Sequence, residues 1–387
     1  MSTREAVVVD AVRTPVGRRG GQLADWHPTD LLAHTLRTLV ERTGIDVTTL
    51  DDVITGCGLQ AGEQAGNISR WASLGAGLPE SLPAATIDRQ CGSGQQAVHF
   101  AAQAIRSGEY TFAIGAGVES MSRMPLGPLF NPDEGLGPWY GDMALARYHG
   151  HIYAQGPSAE MVVQKWGFTR EELDAFSAQS HRRAHAATEA GAFAAQLVPL
   201  DGKDGPMTRD EGIRARVDLA KMASLRPAFS PDGTLTGGNS SQISDGAAAV
   251  LVAERSAAEA AGLRPRALIR AMAVAADDPA LQFTAILPAA RKALAAAGLT
   301  IDDIDRIEVN EAFSPVPLMF ARELGVSSDR LNVNGGSIAI GHPIGSTGAR
   351  MITDLVNELE RSGSRYGLLT ICEGGGMANA TILERLS

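Results

Sequence analysis

Two stretches of this chain recur at a nearly fixed distance, and that repetition constrains the fold more than any other feature. "LVERTGIDVTTLDDVITGC" aligns with "ALAAAGLTIDDIDRIEVNE": a helix end, a glycine, a short acidic link, then an apolar strand. "CGSGQQAVHFAAQAIRSGEYTFAIGAGVES" aligns with "GSTGARMITDLVNELERSGSRYGLLTICEGGG". Asp51 pairs with Asp305 and Ser107-Gly108 with Ser362-Gly363, offsets of 254 and 255 residues. Two independent matches at one offset argue for duplicated halves, against a chance likeness of generic βα units. Within each half, helical periodicity alternates with β-rich runs such as "AVVVDAV", "YTFAIGAG", "RIEVN" and "YGLLTIC". That alternation predicts an α/β fold with a largely parallel sheet. The span Met121 to Ile243 differs, opening with "SRMPLGPLFNPDEGLGPWYG", and reads as an insertion carried by the first half. The predicted units are 1–120 plus 244–264, the insertion 121–243, and a second half 265–387. A chain of 387 residues is too long for one ordinary core, which agrees.

The formal charge of −10 argues against a nucleic-acid partner, whose footprint is a basic patch. A small anionic molecule held by a few local arginines remains compatible with it. No apolar run reaches membrane-spanning length. The opening "MSTREAVVVDAVRTP" lacks a signal-peptide run and "ERLS" is no peroxisomal ending, so the cytoplasm is expected. Cys57, Cys91 and Cys372 form no CxxC pair and, being odd in number, no disulfide framework. His181 and His185 stand four apart on a predicted helix with no third ligand signalled. They read as a solvated face, and no metal is expected.

The chemistry concentrates at strand ends and helix starts. In "IDRQCGSGQQAVHF", Gly92 and Gly94 permit a sharp strand-to-helix turn, and Ala97, Ala101, Ala104 and Ile105 mark the helix's buried face. Cys91 then sits at a helix N-terminus, where unpaired N–H groups and the dipole are expected to favour a thiolate. A buried core cysteine is the alternative. His342 lies between glycines in "NVNGGSIAIGHPIGSTGAR", Cys372 precedes three glycines in "ICEGGGMANATI", and Asn310 ends the strand of "IEVNEAF". In a duplicated α/β fold such ends converge on one crevice. A thiol, an imidazole and a second thiol make a coherent nucleophile and acid/base set. Cys57, before Gly58, reads as core or crevice lining. "GAGVES" lacks the third glycine of a dinucleotide fingerprint.

"DRQCGSG", "NEAF", "NGGSIAIGHPIGSTGA" and "CEGGGMANATI" occur in the order of the four catalytic blocks of thiolases, and the chain resembles that family nearly end to end. The resemblance implies the thiolase fold: two pseudo-symmetric βαβαβαββ halves with an inserted loop domain. It implies that Cys91 attacks the C3 carbonyl of a 3-ketoacyl-CoA, that His342 takes the thiol proton, and that Cys372 protonates the departing acetyl-CoA enolate. An acyl-Cys91 thioester then passes to CoA by ping-pong kinetics. One oxyanion hole would comprise His342 and a water held by Asn310, the other the backbone N–H groups of Cys91 and Gly374. CoA is a co-substrate and no permanently bound cofactor is implied. By the same resemblance Arg214 in "RDEGIRARVDLAKMASLRPAF" lies near the adenine nucleotide and Ser241 in "GNSSQISDGAAAV" near pantetheine. Ala312, Phe313 and Gln155 join them on the substrate side. A solvated Arg214 and a Ser241 merely in a turn remain open. The partners implied are 3-ketoacyl-CoA, acetyl-CoA and CoA, with a homodimer or homotetramer. The segment after Met121 is short for a tetramerisation loop.

A ketoacyl synthase shares the fold but typically uses Cys-His-His or Cys-His-Asn, which Cys372 and Asn310 disfavour. A catalytically silent lipid carrier is expected to lose Cys91, His342 or Cys372. Small-substrate thiolases commonly carry His-Met where this chain reads Ala154-Gln155, and "DDPALQFTAILPAA" replaces a "GTGP" run, setting Gln282 and Phe283 near the acyl pocket. A degradative enzyme for a medium, branched or ring-bearing acyl group is expected. A biosynthetic acetoacetyl-CoA thiolase is the alternative.

Overall fold

The computed structural model describes residues 4–127, 138 and 140–386. Its strands are β1 (Ala6–Arg13), β2 (Gly17–Arg18), β3 (Asp52–Gly56), β4 (Ala84–Ile87), β5 (Phe112–Ser120), β6 (Leu200–Gly202), β7 (Gly205–Met207), β8 (Ser244–Glu254), β9 (Ala267–Ala276), β10 (Arg306–Val309), β11 (Tyr366–Glu373) and β12 (Met377–Arg385). All but β6 and β7 belong to one ten-stranded sheet, in the order β10-β11-β12-β9-β1-β8-β5-β3-β4, with β2 beside β8.

The duplication is visible in this order. From one edge, β4, β3 and β5 run parallel and then β8 and β1 antiparallel. From the other edge, a single parallel bridge at Leu331 precedes parallel β10 and β11, then antiparallel β12 and β9. Both halves therefore trace βαβαβαββ, with the third strand of the second half reduced to one bridge. They meet where β1 and β9 pair antiparallel at Val7 with Leu268 and Val8 with Ala267. The sheet is mixed, which corrects the expectation of a largely parallel one. Each half closes with an antiparallel pair, β5 with β8 around the insertion and β11 with β12 directly. The Gly374–Gly376 turn folds β12 straight back on β11, and only antiparallel strands can be joined that tightly.

The repeat extends to single bonds. Asp51 Oδ2 accepts from the N–H groups of Thr111 (2.6 Å) and Phe112 (3.1 Å). Its counterpart Asp305 accepts from those of Arg365 (2.8 Å) and Tyr366 (2.9 Å). In both halves this aspartate ties the acidic link to the start of the next strand but one, satisfying two backbone donors there.

Helix Pro28–Thr43 packs on the first half's sheet and helix Ile286–Ala297 on the second half's. A third cluster is shared, built from Ala97, Ala101 and Ile105 of helix Ser93–Ser107 and Ile352, Leu355 and Val356 of helix Ile344–Ser362. Those two helices approach through glycine. A Cβ on Gly348 would overlap the backbone N of Gln95, and one on Gly94 would stand 2.7 Å from Gly345 O. Both contacts lie in the first turns, so the two N-termini come together. Between the halves, the capping box of Thr169 and Glu172 starts helix Arg170–Glu189. His181 on that helix is buried, and its Nδ1 accepts from the Arg214 N–H at 3.2 Å. The expected solvated histidine face is thus half wrong: His181 faces inward because it holds the 214 loop.

Candidate active site

Strand β4 delivers the chain into a tight turn before helix Ser93–Ser107. Gln90 N–H donates to Asp88 Oδ1 (2.6 Å), Gly92 N–H to Arg89 O (3.0 Å) and Ser93 N–H to Gln90 O (3.1 Å). Gln90 sits at φ 49°, a left-handed conformation costly for a residue with a Cβ. Cys91 is thereby held one residue before the helix cap and is buried. Burial pushes its thiol up to about 12; the Gln155 side-chain amide, 4.0 Å from Sγ, pulls it down, and Glu373 raises it. The expectation of a thiolate is therefore corrected: desolvation outweighs the helix terminus, and Cys91 rests as a neutral thiol.

His342 precedes helix Ile344–Ser362, so the helix crossing brings it to the same end as Cys91. Its Nδ1 is 2.7 Å from Thr347 Oγ1. Thr347 spends its one hydrogen on Pro343 O (2.8 Å), so it accepts from the imidazole. His342 is accordingly the Nδ1–H tautomer, and its Nε2 lone pair is buried with no partner. Burial first, and then Arg350, push its pKa down to about 3. A neutral imidazole with a bare nitrogen is in the protonation state that a general base needs.

Cys372, near the end of β11, is fully buried. Burial, and next the neighbouring Cys91, raise its thiol well above the ordinary range, while the Asn310 side chain acts the other way. Asn310 follows β10; its Oδ1 accepts from Ser337 Oγ at 2.6 Å and its Nδ2 has no hydrogen-bond partner. Gly374 opens the following turn, and a Cβ there would stand 3.1 Å from Gln90 Oε1. Buried unpaired donors and acceptors are costly in a finished core. Here Asn310 and Glu373, both neighbours of Cys372, and His342 carry such atoms, as expected of a site awaiting polar substrate atoms.

On the substrate side, Ser241 N–H donates to Ala312 O (2.9 Å), and Ser240 bridges Phe313 with its own Oγ buried and unpaired. The Phe313 ring stacks edge-on between Phe229 and Phe283, each 5.4 Å away. Arg214 is exposed. Gln282 and Phe283, expected near the acyl pocket, are both buried. Gln282 is a strut, at φ 49°, donating to Tyr153 O (2.8 Å) and Ser158 Oγ (3.1 Å) and accepting from Gly375 N–H (3.2 Å). Cys57 is buried 3.8 Å from Glu119 Oε1. A cavity of about 600 Å³ lined by Glu189, Asp204 and Glu211 includes none of these residues.

Two residues inside the sequence blocks gained no role from sequence reasoning. Ser337 bonds Asn310, and Glu373 buries both carboxyl oxygens without partners. A charged residue placed directly after a buried thiol was the available signal for the second.

Family models match nearly the whole chain: "Thiolase, N-terminal domain" over residues 6–256 and "Thiolase, C-terminal domain" over 263–385. The chain belongs to the thiolase family; it has the thiolase fold and is an acyltransferase. It is 47% identical over 394 residues to the steroid 3-ketoacyl-CoA thiolase FadA6 of Mycobacterium tuberculosis, covering 99% of this chain and 94% of that one. It is 44% identical over 393 residues to a 3-ketoacyl-CoA thiolase of Serratia proteamaculans (98% and 99% covered) and 42% identical over 395 residues to one of Salmonella typhimurium (99% and 100%).

Proposed function

We propose that this protein cleaves 3-ketoacyl-CoA with CoA, releasing acetyl-CoA and a shortened acyl-CoA, and that it works in the degradative direction on a medium or ring-bearing acyl group. The observation that carries the mechanism is the buried, unpaired Nε2 of His342 beside the helix start that presents a neutral Cys91 thiol. Nε2 takes the thiol proton as Sγ adds to the C3 carbonyl. The C2–C3 bond then breaks, and the Cys372 thiol gives its proton to C2 of the acetyl-CoA enolate. Once the imidazolium proton has passed to the Cys372 thiolate, the neutral imidazole deprotonates CoA, whose sulfur displaces the acyl group from Cys91, and the same proton returns to the Cys91 sulfur. Asn310 Nδ2, through a water, and His342 serve the thioester oxygen that gains charge at the enolate. The N–H groups of Cys91 and Gly374 serve the oxyanion at the carbonyl attacked by sulfur. CoA lies along Ser240, Ser241, Ala312 and Phe313, with its nucleotide toward Arg214. Its substrate class follows the two sequence departures at Ala154-Gln155 and Gln282, and the similarity to a relative named for steroid 3-ketoacyl-CoA supports it.

The division into halves 1–120 plus 244–264 and 265–387, with 121–243 inserted, is part of this reading and is supported by the strand order. A homodimer is proposed: β4 is a short edge strand, and the helix Ile68–Gly75 beside it exposes Trp71. The tetramer argument rests on the segment after Met121, where 128–137 and 139 lie outside the described residues. Three free thiols suit a reducing cytoplasm. Among the described residues no helix is long and apolar enough to cross a membrane, and no group of three or more His, Cys, Asp or Glu is placed to hold a metal.

The test is to incubate the protein with a 3-ketoacyl-CoA without free CoA, quench in acid and map the acylated peptide. An adduct on Cys91, discharged by added CoA, is expected. An adduct on Cys57 or Cys372 with Cys91 unmodified overturns the mechanism.

A further inference from the structure

Asn310 can serve an oxyanion only if its amide is turned the right way, and the structure contains a device that sets the turn. Ser337 Oγ is 2.6 Å from Asn310 Oδ1 and 3.1 Å from Arg350 Nη2. A guanidinium only donates, so the serine oxygen accepts from Arg350. Its one hydrogen is left for Asn310, which must answer with its carbonyl oxygen. The NH2 end is thereby turned away from Ser337 and lies on the side of the Cys372 thiol, with no full hydrogen bond of its own. Arg350 is itself fixed. Its Nη1 donates to Asp354 Oδ2 (2.6 Å), Asp354 Oδ1 accepts from Arg13 Nε (3.0 Å), and Arg13 holds Asp210 by two bonds of 2.7 and 3.0 Å. Every member of this series is buried. A buried charge cannot swing without losing its pairing, so the donor polarity at Ser337 is locked from behind.

We propose that Ser337 is a positioning residue for the acetyl-CoA half of the reaction: its hydroxyl, made a one-way donor by Arg350, holds the Asn310 amide with NH2 toward the enolate oxygen. This rests on the reading of Asn310 given above. Without the hydroxyl, Oδ1 is left unpaired in the interior and the amide can rotate, putting an acceptor where charge develops. The effect belongs to the transition state, so it falls on kcat rather than on KM. It also belongs to one half-reaction, because Asn310 neighbours Cys372, the group that moves the acetyl proton.

The experiment compares wild type, S337A, S337T and N310A in two assays, with thermal unfolding alongside. Exchange of acetyl-CoA methyl protons with deuterated water reads the Cys372 half-reaction. Acylation of Cys91 by acetyl-CoA, followed by mass, reads the other. S337A is expected to slow exchange and kcat about tenfold, short of the full loss of an oxyanion donor. KM and Cys91 acylation stay near wild type, and S337T recovers most of the exchange. A slow N310A beside a wild-type S337A overturns the positioning role and leaves the Asn310 reading standing. Wild-type exchange in N310A overturns that reading and the inference with it. Equal loss of both half-reactions in S337A with a fall in Tm makes Ser337 a structural residue and overturns the proposal.

Discussion

Glu373 follows Cys372 directly, and its two carboxyl oxygens are buried without a hydrogen bond. One of them occupies the space a Cβ on Gly92 would need, so the carboxyl presses on the nucleophile turn. Burial pushes its pKa from 4.5 up to about 8, with Arg89 pulling it down and Asp88 adding to the rise. The sign follows from linkage. Between 4.5 and about 8 the unfolded chain has released a proton that the folded chain keeps. Stability is therefore full below that window and falls as pH rises through it. Glu373→Gln keeps the shape and removes the titration. In a pH series of thermal unfolding the variant should stand above wild type by about 1 °C for each kcal/mol recovered at pH 8.5, the gap closing toward pH 4.5. Parallel curves would show that Glu373 carries no such proton. The Cys91 thiol should also react faster with iodoacetamide above pH 8 in the variant, since a like charge beside it is gone.

The elements that matter most are helices Ser93–Ser107 and Ile344–Ser362, because their crossing joins the turns that carry Cys91 and His342, the nucleophile and base proposed above. Gly348 has backbone where its Cβ would go. Gly348→Val must push the first turns apart, at about 1–3 kcal/mol of overpacking strain. A displacement near 1 Å between base and nucleophile costs on the order of a hundredfold in rate. The expected outcome is a lower Tm and a kcat reduced by roughly that factor in the still-folded protein. Gly237→Ala, at a site with nothing within 4 Å, should change neither. A Gly348→Val enzyme with wild-type kcat would mean that the crossing does not position the pair. Most of this level was legible in the sequence. Gly44, Gly108, Gly298 and Gly363 end their helices in the left-handed conformation, and Asp51 and Asp305 keep the same duty in each half. Strand direction was not legible. Periodicity reports which face of a strand is buried, not whether its neighbour runs with it, so the mixed character of the sheet escaped.

At the scale of the molecule, the site draws Cys91 from one half and Asn310, His342 and Cys372 from the other, while Gln155 reaches Cys91 from the span between. The blocks that carry these residues were readable because turn glycines and polar residues stand out against apolar strands. The ionic series behind Asn310 was not readable. Its members Arg13, Asp210 and Asp354 lie 197 and 341 positions apart, and one arginine in a sequence does not announce its partner. The same distance problem hides the acyl pocket, which is set by how loops from separate regions are tied. Gln282 ties the start of helix Gln155–Trp166, at Tyr153 and Ser158, to the glycine turn after Cys372, with Ala154 exposed at the helix N-cap and no imidazole standing there. A methyl in place of a ring leaves room for a larger acyl group. Each buried methylene contributes about 0.8 kcal/mol, roughly fourfold in kcat/KM, so a chain four carbons longer than acetoacetyl gains about two orders of magnitude. Thiolysis of acetoacetyl-CoA, 3-ketooctanoyl-CoA and a ring-bearing 3-ketoacyl-CoA under identical conditions measures this. Gln282→Ala should slacken this helix start and shrink the preference for the larger substrates while acetoacetyl-CoA changes least. Should acetoacetyl-CoA prove the best of the three in the wild-type enzyme, the pocket is small and the biosynthetic alternative stands.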